Sequence, residues 1–254
     1  MMHQVRPDYT LVSALSAIVN ESPTPTFAVA KWEHLASKLP AFEQLTARSF
    51  GSKVVHHRSS WVNRICVDSL DAFIKTYKYM SWNDKLGNLA KWTAPCRRSR
   101  AAREWLALTW LNSHDLPTAK PLACWESRHF GFVQQASLLT ANFDGEAADQ
   151  VFANANEAKR SAVAKAIGAF VVTLHGKGFR DRNLDLRNLL IRQDNGQITI
   201  AKIDSPRFQL VRPLSPSAGS PKDRLADADW QRLLPQLAKF GVANLASKAR
   251  DSRR

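Results

Sequence analysis

The chain has 254 residues, 44% of them hydrophobic and 23% charged. This balance excludes a disordered or collagen-like chain and suits one or two globular domains with a buried core. Lys and Arg number 36 against 22 Asp and Glu, a formal charge of +14. The expected partners are therefore anionic (nucleic acid, an acidic membrane face or a phosphorylated substrate), with a merely solubilising basic surface as the alternative.

Cys66, Cys96 and Cys124 stand apart with no C-x-x-C pair. They read as reduced thiols packed as small hydrophobes rather than as a disulfide framework or a zinc site. No apolar run approaches the roughly 18 residues of a transmembrane helix. Leu11 to Val19 is followed at once by Glu21-Ser22-Pro23-Thr24-Pro25, and Arg6 is offset by Asp8. Neither a membrane span nor a signal peptide is expected, and the chain is expected to begin in the cytoplasm.

Residues 1–50 read as an appended, partly helical segment, with Trp32, Leu35, Leu39 and Phe42 at near-helical spacing after the break at Pro23 and Pro25. Residues 64–68 and 72–77 are β-rich and read as a hairpin turning at Ser69-Leu70-Asp71. Residues 99–108 follow as a helix with Ala101, Trp105 and Leu108 on one face. Pro117 and Pro121 punctuate a link, and residues 131–135 suggest another strand. Residues 156–175 form the clearest helix, striped by Val163, Ile167, Phe170, Val171 and Leu174 and closed by Gly176 and Gly178. Residues 189–192 and 198–203 make a hairpin across Asn195-Gly196. A Pro/Ser-rich loop at 211–222 precedes a helix bearing Leu225, Leu233, Leu234 and Leu237, and residues 247–254 read as a frayed basic tail.

The order helix, Gly-bounded loop, hairpin, Asp is what phosphoryl transfer requires at one point in space. A loop after a helix holds a base and a metal-binding amide side by side, and the hairpin returns a carboxylate to the same metal. The loop here is residues 178–188 and the returning carboxylate is Asp204. At these residues the chain resembles the protein-kinase superfamily, whose catalytic loop reads H-R-D-x-x-x-x-N and whose next metal ligand is the Asp of D-F-G. Within it, residues 72–77, Arg103-Glu104-Trp105, residues 174–178 and Asp204-Ser205-Pro206-Arg207 resemble the lipopolysaccharide kinases that act on heptose or Kdo sugars. The resemblance covers roughly residues 60 to 240.

It implies an α+β bilobal protein-kinase-like fold over residues 51–245, with a small β-rich N-lobe (about 51–137) and a mainly helical C-lobe (about 138–245). Residues 1–50 would precede it and 246–254 would follow as a tail. The resemblance makes Lys75 the lysine that holds the ATP phosphates, with Lys78 a nearby competitor, and Glu104 its helix partner. Asn188 and Asp204 become the Mg²⁺ ligands. No Gly-rich phosphate loop precedes Lys75; Gly51 is the one glycine within reach. Asn183 stands where the catalytic Asp belongs, and an amide cannot accept the substrate hydroxyl's proton as a carboxylate does. Asp185 and Asp181 are the alternative carboxylates. His175 reads as a packed structural histidine, and Asp227 or Asp229 as the brace of the catalytic loop. Arg180, Arg182, Arg187 and Arg207 form a cationic cluster suited to a phosphorylated sugar lipid, at least one of them anchoring the loop backbone.

The function so implied is an ATP- and Mg²⁺-dependent kinase for a sugar hydroxyl of lipopolysaccharide core or a lipid A precursor, peripheral to the anionic inner membrane. The alternative is a pseudokinase that binds nucleotide or serves as a scaffold. Nucleic-acid binding rests on charge alone, without a zinc finger, basic repeat or aromatic RNA-binding motif.

Overall fold

The computed structural model describes residues 27–28, 37–67, 69–79, 97–211 and 223–251. The apolar stretch at 11–19, Trp32 and Leu35 of the expected early helix, Cys96 and the Pro/Ser-rich segment at 212–222 lie outside the described residues. The chain divides into two compact units, residues 1–109 with 120–142 and residues 110–119 with 143–254.

The first unit is built on a six-stranded antiparallel sheet. Its strands are β1 (Phe27–Ala28), β2 (Ser52–His56), β3 (Ser60–Val67), β4 (Leu70–Lys78), β5 (Pro121–His129) and β6 (Phe132–Ala141), in the order β1-β5-β6-β4-β3-β2. Alternation places Ala72, Ile74 and Thr76 on the buried face of β4. Ala72 and Ile74 join Ile65, Leu122, Trp125 and Leu139 in one apolar cluster, against which Leu39, Phe42 and Phe50 pack. Of the helix expected around residues 31–45, only the single turn α1 (Phe42–Leu45) is helical among the described residues.

The β3–β4 hairpin turns tighter than its sequence suggests: Val67 already pairs with Leu70, and Asp71 lies within the strand. A cross-strand ion pair spans the hairpin end, with Arg64 Nε and Nη2 donating to the Asp71 carboxylate at 2.8 and 2.6 Å. Arg64 holds the Asp71 pKa down to about 2. Strands β2 and β5 have weak sequence signals. The first is an exposed edge and the second begins at a proline. Cys66 and Cys124 are both free, and burial pushes the Cys124 thiol well above its ordinary value.

Helix α2 (Arg100–Ser113) runs five residues beyond Leu108, where the stretch read as helical in the sequence ends. The second unit holds α3 (Ala148–Asn154), α4 (Glu157–Gly176), α5 (Arg224–Ala238) and α6 (Ala243–Asp251). Asn156 caps α4 by accepting from the Lys159 N–H, and the stripe Val163, Ile167, Val171 and Leu174 is fully buried. Gly168 lets α6 approach: a Cβ there would lie 2.6 Å from the Ala246 carbonyl oxygen. Helix α6 runs through Ser247–Asp251, which the sequence reads as a frayed tail, because Leu245 and Ala246 give it a packed face.

Strands β9 (Leu189–Asp194) and β10 (Gln197–Lys202) form the expected hairpin, with Asn195 at φ 48° and Gly196 at φ 82°. This is the mirror-image turn that Asn-Gly favours. The short β7 (Glu146–Ala147) pairs with β9, while β8 (Phe179–Arg180) pairs with β11 (Gln209–Leu210). No helix among the described residues is long and apolar enough to cross a membrane.

Candidate active site

In the first unit, Lys75 projects from β4 on the face opposite Ile74 and meets Glu104 in the first turns of α2. Its Nζ lies 3.0 and 3.3 Å from the two carboxylate oxygens. Tyr77 Oη also donates to Glu104 Oε2, at 3.4 Å. Glu104 is buried, so the desolvated carboxylate draws on both donors. Lys78 points elsewhere on the strand and makes no such pair among the described residues.

The turn between β2 and β3, His57-Arg58-Ser59, contains no glycine. The Arg48 guanidinium tethers it by donating to the His57 and Arg58 carbonyls. Gly51 lies outside this turn. It sits at φ 74° where the chain enters β2, with the Arg64 carbonyl only 2.3 Å from where a Cβ would be. Its role is close packing of backbone.

In the second unit, the catalytic-loop segment hangs from one buried carboxylate on α5. Asp229 Oδ2 accepts the Asp181 N–H at 2.9 Å, and its Oδ1 accepts the Arg182 N–H at 2.8 Å. His175 Nε2 lies 3.1 Å from Oδ2. Asp229 is thus the brace, and Asp227 instead pairs with Arg250. His175 is the packed partner the sequence suggests. The brace holds Arg182 at φ 58°, a left-handed conformation costly for a side chain with a Cβ.

Three further residues converge beyond this point. Asn183 Nδ2 donates to the Asp204 backbone carbonyl at 3.1 Å and to its Oδ2 at 3.3 Å. Asn188 Nδ2 donates back to the Asn183 carbonyl at 3.3 Å, so the Asn188 Oδ1 is the acceptor end left to the site. The Ile203 N–H is held by the Asn188 carbonyl at 3.0 Å, which registers the two segments, and Asp204 stands at φ 54°. Asn188 Oδ1 and the Asp204 carboxylate are therefore the hard oxygen donors here, linked through Asn183. Such a donor set suits Mg²⁺, which takes few protein ligands and leaves positions for phosphate oxygens and water.

A protein-family model described as "Lipopolysaccharide kinase (Kdo/WaaP) family" matches residues 42–213, more than half of the chain. The chain belongs to that family. Among solved structures, "WaaP in complex with acyl carrier protein" is similar over 89% of this chain and 92% of that chain. Its TM-score is 0.51 at 15% sequence identity, a likeness of fold. The comparison with curated proteins gave no match. The chain is thus an α+β protein of protein-kinase-like fold, in a family of phosphotransferases acting on lipopolysaccharide. The matched region begins before the point near residue 60 where the sequence resemblance becomes visible.

Within this lipopolysaccharide-kinase fold the two alternative carboxylates sit in different surroundings. Asp181 is fully buried and faces Lys202, also fully buried, at 3.2 Å. Burial raises the Asp181 pKa, with Lys202 and Ser205 pulling it back. Lys202 Nζ also donates to the Ile203 carbonyl, next to Asp204. Asp185 caps the 3₁₀ turn Leu186–Asn188 and is clasped by Arg187, whose Nε and Nη2 donate at 3.0 and 3.1 Å. That clasp lowers the Asp185 pKa. Lys202 escapes sequence reading because a lysine ending a strand passes for a solvated one. Its one signal is the placement of a charge in the apolar run Ile198–Ile203. The tether from Arg48 leaves no sequence signal.

Proposed function

We propose that this chain is an ATP- and Mg²⁺-dependent kinase that phosphorylates a sugar hydroxyl of lipopolysaccharide core or a lipid A precursor at the inner membrane face. The observation that carries this reading is the convergence of Asn188 and Asp204 on Asn183, on a loop braced by Asp229. In it, Lys75 holds the nucleotide phosphates and Glu104 keeps its ammonium in place. Asn188 Oδ1 and the Asp204 carboxylate would hold Mg²⁺, which would neutralise charge on the phosphates.

Asn183 orients the acceptor hydroxyl through Oδ1, because its Nδ2 is committed to Asp204. Asp185 takes the proton. Arg187 uses one hydrogen bond of Asp185 Oδ2, and a carboxylate oxygen accepts two. Asp181 serves Lys202. The hydroxyl oxygen forms the new bond to the γ-phosphorus as the bond to the β-bridging oxygen breaks, and ADP leaves. The +14 charge favours an anionic membrane face.

A second reading, a nucleotide-binding pseudokinase, is favoured by one observation: Asp185, the loop carboxylate not paired with Lys202, is held by Arg187 and made less basic. The test is ATP turnover with Mg²⁺ and a lipopolysaccharide extract. Wild type should turn over, Asp204→Ala should abolish turnover, and Asp185→Asn should lower it by roughly 10² to 10⁴. No wild-type turnover, with Mg²⁺-dependent ATP binding lost in Asp204→Ala, would establish the pseudokinase.

A further inference from the structure

Lys202 is fully buried and faces the fully buried Asp181 at 3.2 Å. Stability alone gives little reason for such a pair. An ammonium and a carboxylate are both costly to desolvate, and apolar side chains of similar volume commonly hold a fold as well. The other contacts of Lys202 supply a reason. Its backbone is fixed on both sides by the link that precedes β5: its N–H donates to the Pro117 carbonyl at 3.1 Å, and its carbonyl accepts from Thr118 Oγ1 at 2.6 Å. Asp181 holds the far end of the side chain, and Nζ donates to the Ile203 carbonyl.

That carbonyl belongs to the peptide group carrying the Asp204 N–H. The β9–β10 ladder ends at the pair Lys202 and Leu189, and the Ile203 N–H extends it by one bond, donating to the Asn188 carbonyl at 3.0 Å. The Ile203 carbonyl lies past the last ladder pair, and the lysine ammonium takes it up. On the other side of Asp204, its own carbonyl accepts from Asn183 Nδ2 at 3.1 Å. Both peptide groups flanking Asp204 are therefore held, which fixes the torsions between them, including φ at 54°. A side chain with a Cβ adopts this left-handed conformation only at a cost, so the surroundings must impose it. In that conformation Asp204 Oδ2 lies 3.3 Å from Asn183 Nδ2, linked through Asn183 to Asn188.

We propose that Lys202 is a positioning residue for Asp204: anchored by Asp181, Pro117 and Thr118, its ammonium fixes the peptide ahead of Asp204 and so aims that carboxylate at the Mg²⁺ position. The assignment rests on the kinase reading for Mg²⁺; the clamp on the backbone does not.

The experiment compares the full wild-type chain with Lys202→Met/Asp181→Asn, which removes both charges together and strands neither. Asp204→Ala serves as the variant blind to the metal. ATP binding is measured by equilibrium dialysis, without acceptor, in EDTA and across a series of free Mg²⁺ concentrations. Wild-type affinity for ATP should rise with Mg²⁺. The double variant should need about 10- to 100-fold more Mg²⁺ for half of that rise, the usual loss when a group supporting a metal ligand is removed. Its affinity for ATP in EDTA, which Lys75 supports, should match wild type. Crystal structures should show Asp204 left-handed in wild type and released from that region in the double variant. Should the double variant fail to fold, Thr118→Val decides instead, raising the Mg²⁺ requirement in the same direction by a smaller factor.

A folded double variant with the wild-type Mg²⁺ requirement, or with Asp204 still left-handed, would overturn the assignment and leave the pair a packing device. Equal losses of ATP affinity with and without Mg²⁺ would overturn it in favour of a general disturbance of the nucleotide site. If wild type binds ATP with no dependence on Mg²⁺, the kinase reading fails. The clamp then stands if the double variant releases Asp204 from its left-handed backbone, and falls if it does not.

Discussion

Replacing Asp229 by Ala should both destabilise the second unit and disable its loop. The carboxylate accepts two backbone N–H groups at 2.9 and 2.8 Å and stands 3.1 Å from His175 Nε2, and it is buried. Hydrogen bonds to a charged acceptor contribute about 1.5–3 kcal/mol each. Losing the two backbone bonds alone therefore costs about 3–6 kcal/mol. Relaxation of Arg182 from its left-handed backbone returns about 1 kcal/mol. The net expectation, about 2–5 kcal/mol, is a large fraction of the roughly 5–15 kcal/mol that holds a domain folded. Urea unfolding followed by tryptophan fluorescence reads it directly, since Trp230 follows Asp229 and lies edge-on to His175 at 6.2 Å. Turnover should fall more than in proportion to the folded fraction, because the loop loses its anchor in molecules that remain folded. A midpoint shift worth under about 1 kcal/mol, or full activity per folded molecule, would refute the claim that this carboxylate holds the loop.

Three further outcomes follow from the same structure. Lys202→Met should cost about 3–5 kcal/mol by stranding the buried Asp181, and adding Asp181→Asn should restore much of it; an additive double-mutant cycle in urea melts would dissolve the pairing. The pH dependence has two opposed parts. Asp71 sits at about 2, below its ordinary 3.8, so its contribution is complete above 3.8 and is lost as pH falls through about 2. Asp181 is raised, so its contribution to stability declines as pH climbs from 3.8 through the raised value. Unfolding across pH should therefore lose its upper slope in Asp181→Asn and its lower one in Asp71→Asn. Finally, Gly196→Ala has open space around it and pays only for φ 82°, about 1 kcal/mol. Gly168→Ala must push α6 away from α4 and should lower the melting temperature further, with α6 separating first by hydrogen exchange.

Much of the fold was legible because it is written in local patterns. The stripe from Val163 to Leu174 and the Asn195-Gly196 turn need no tertiary context, since burying one face and adopting a left-handed turn are demands on neighbours in sequence. Strand β2 is exposed and β5 opens on a proline, so both owe their existence to the sheet that receives them. The same division runs through α6, which looks polar until Gly168 offers it a surface.

The candidate site divides in the same way. By itself the sequence determined the order Lys75, Glu104, Asn183, Asn188, Asp204, and with it the family and the departure from its catalytic Asp. It also determined that four arginines cluster near the loop. Only the tertiary structure decided that Asp229 and not Asp227 holds the loop, and that Asp181 faces Lys202 in the interior while Asp185 is clasped by Arg187. It alone separated Arg180 and Arg187, which anchor, from Arg182 and Arg207, which stand exposed. The reason is physical: residue type and spacing limit what a side chain can do, whereas its partner and its burial depend on segments distant in sequence. A carboxylate becomes a brace, a buried ion-pair partner or a base only through those two quantities.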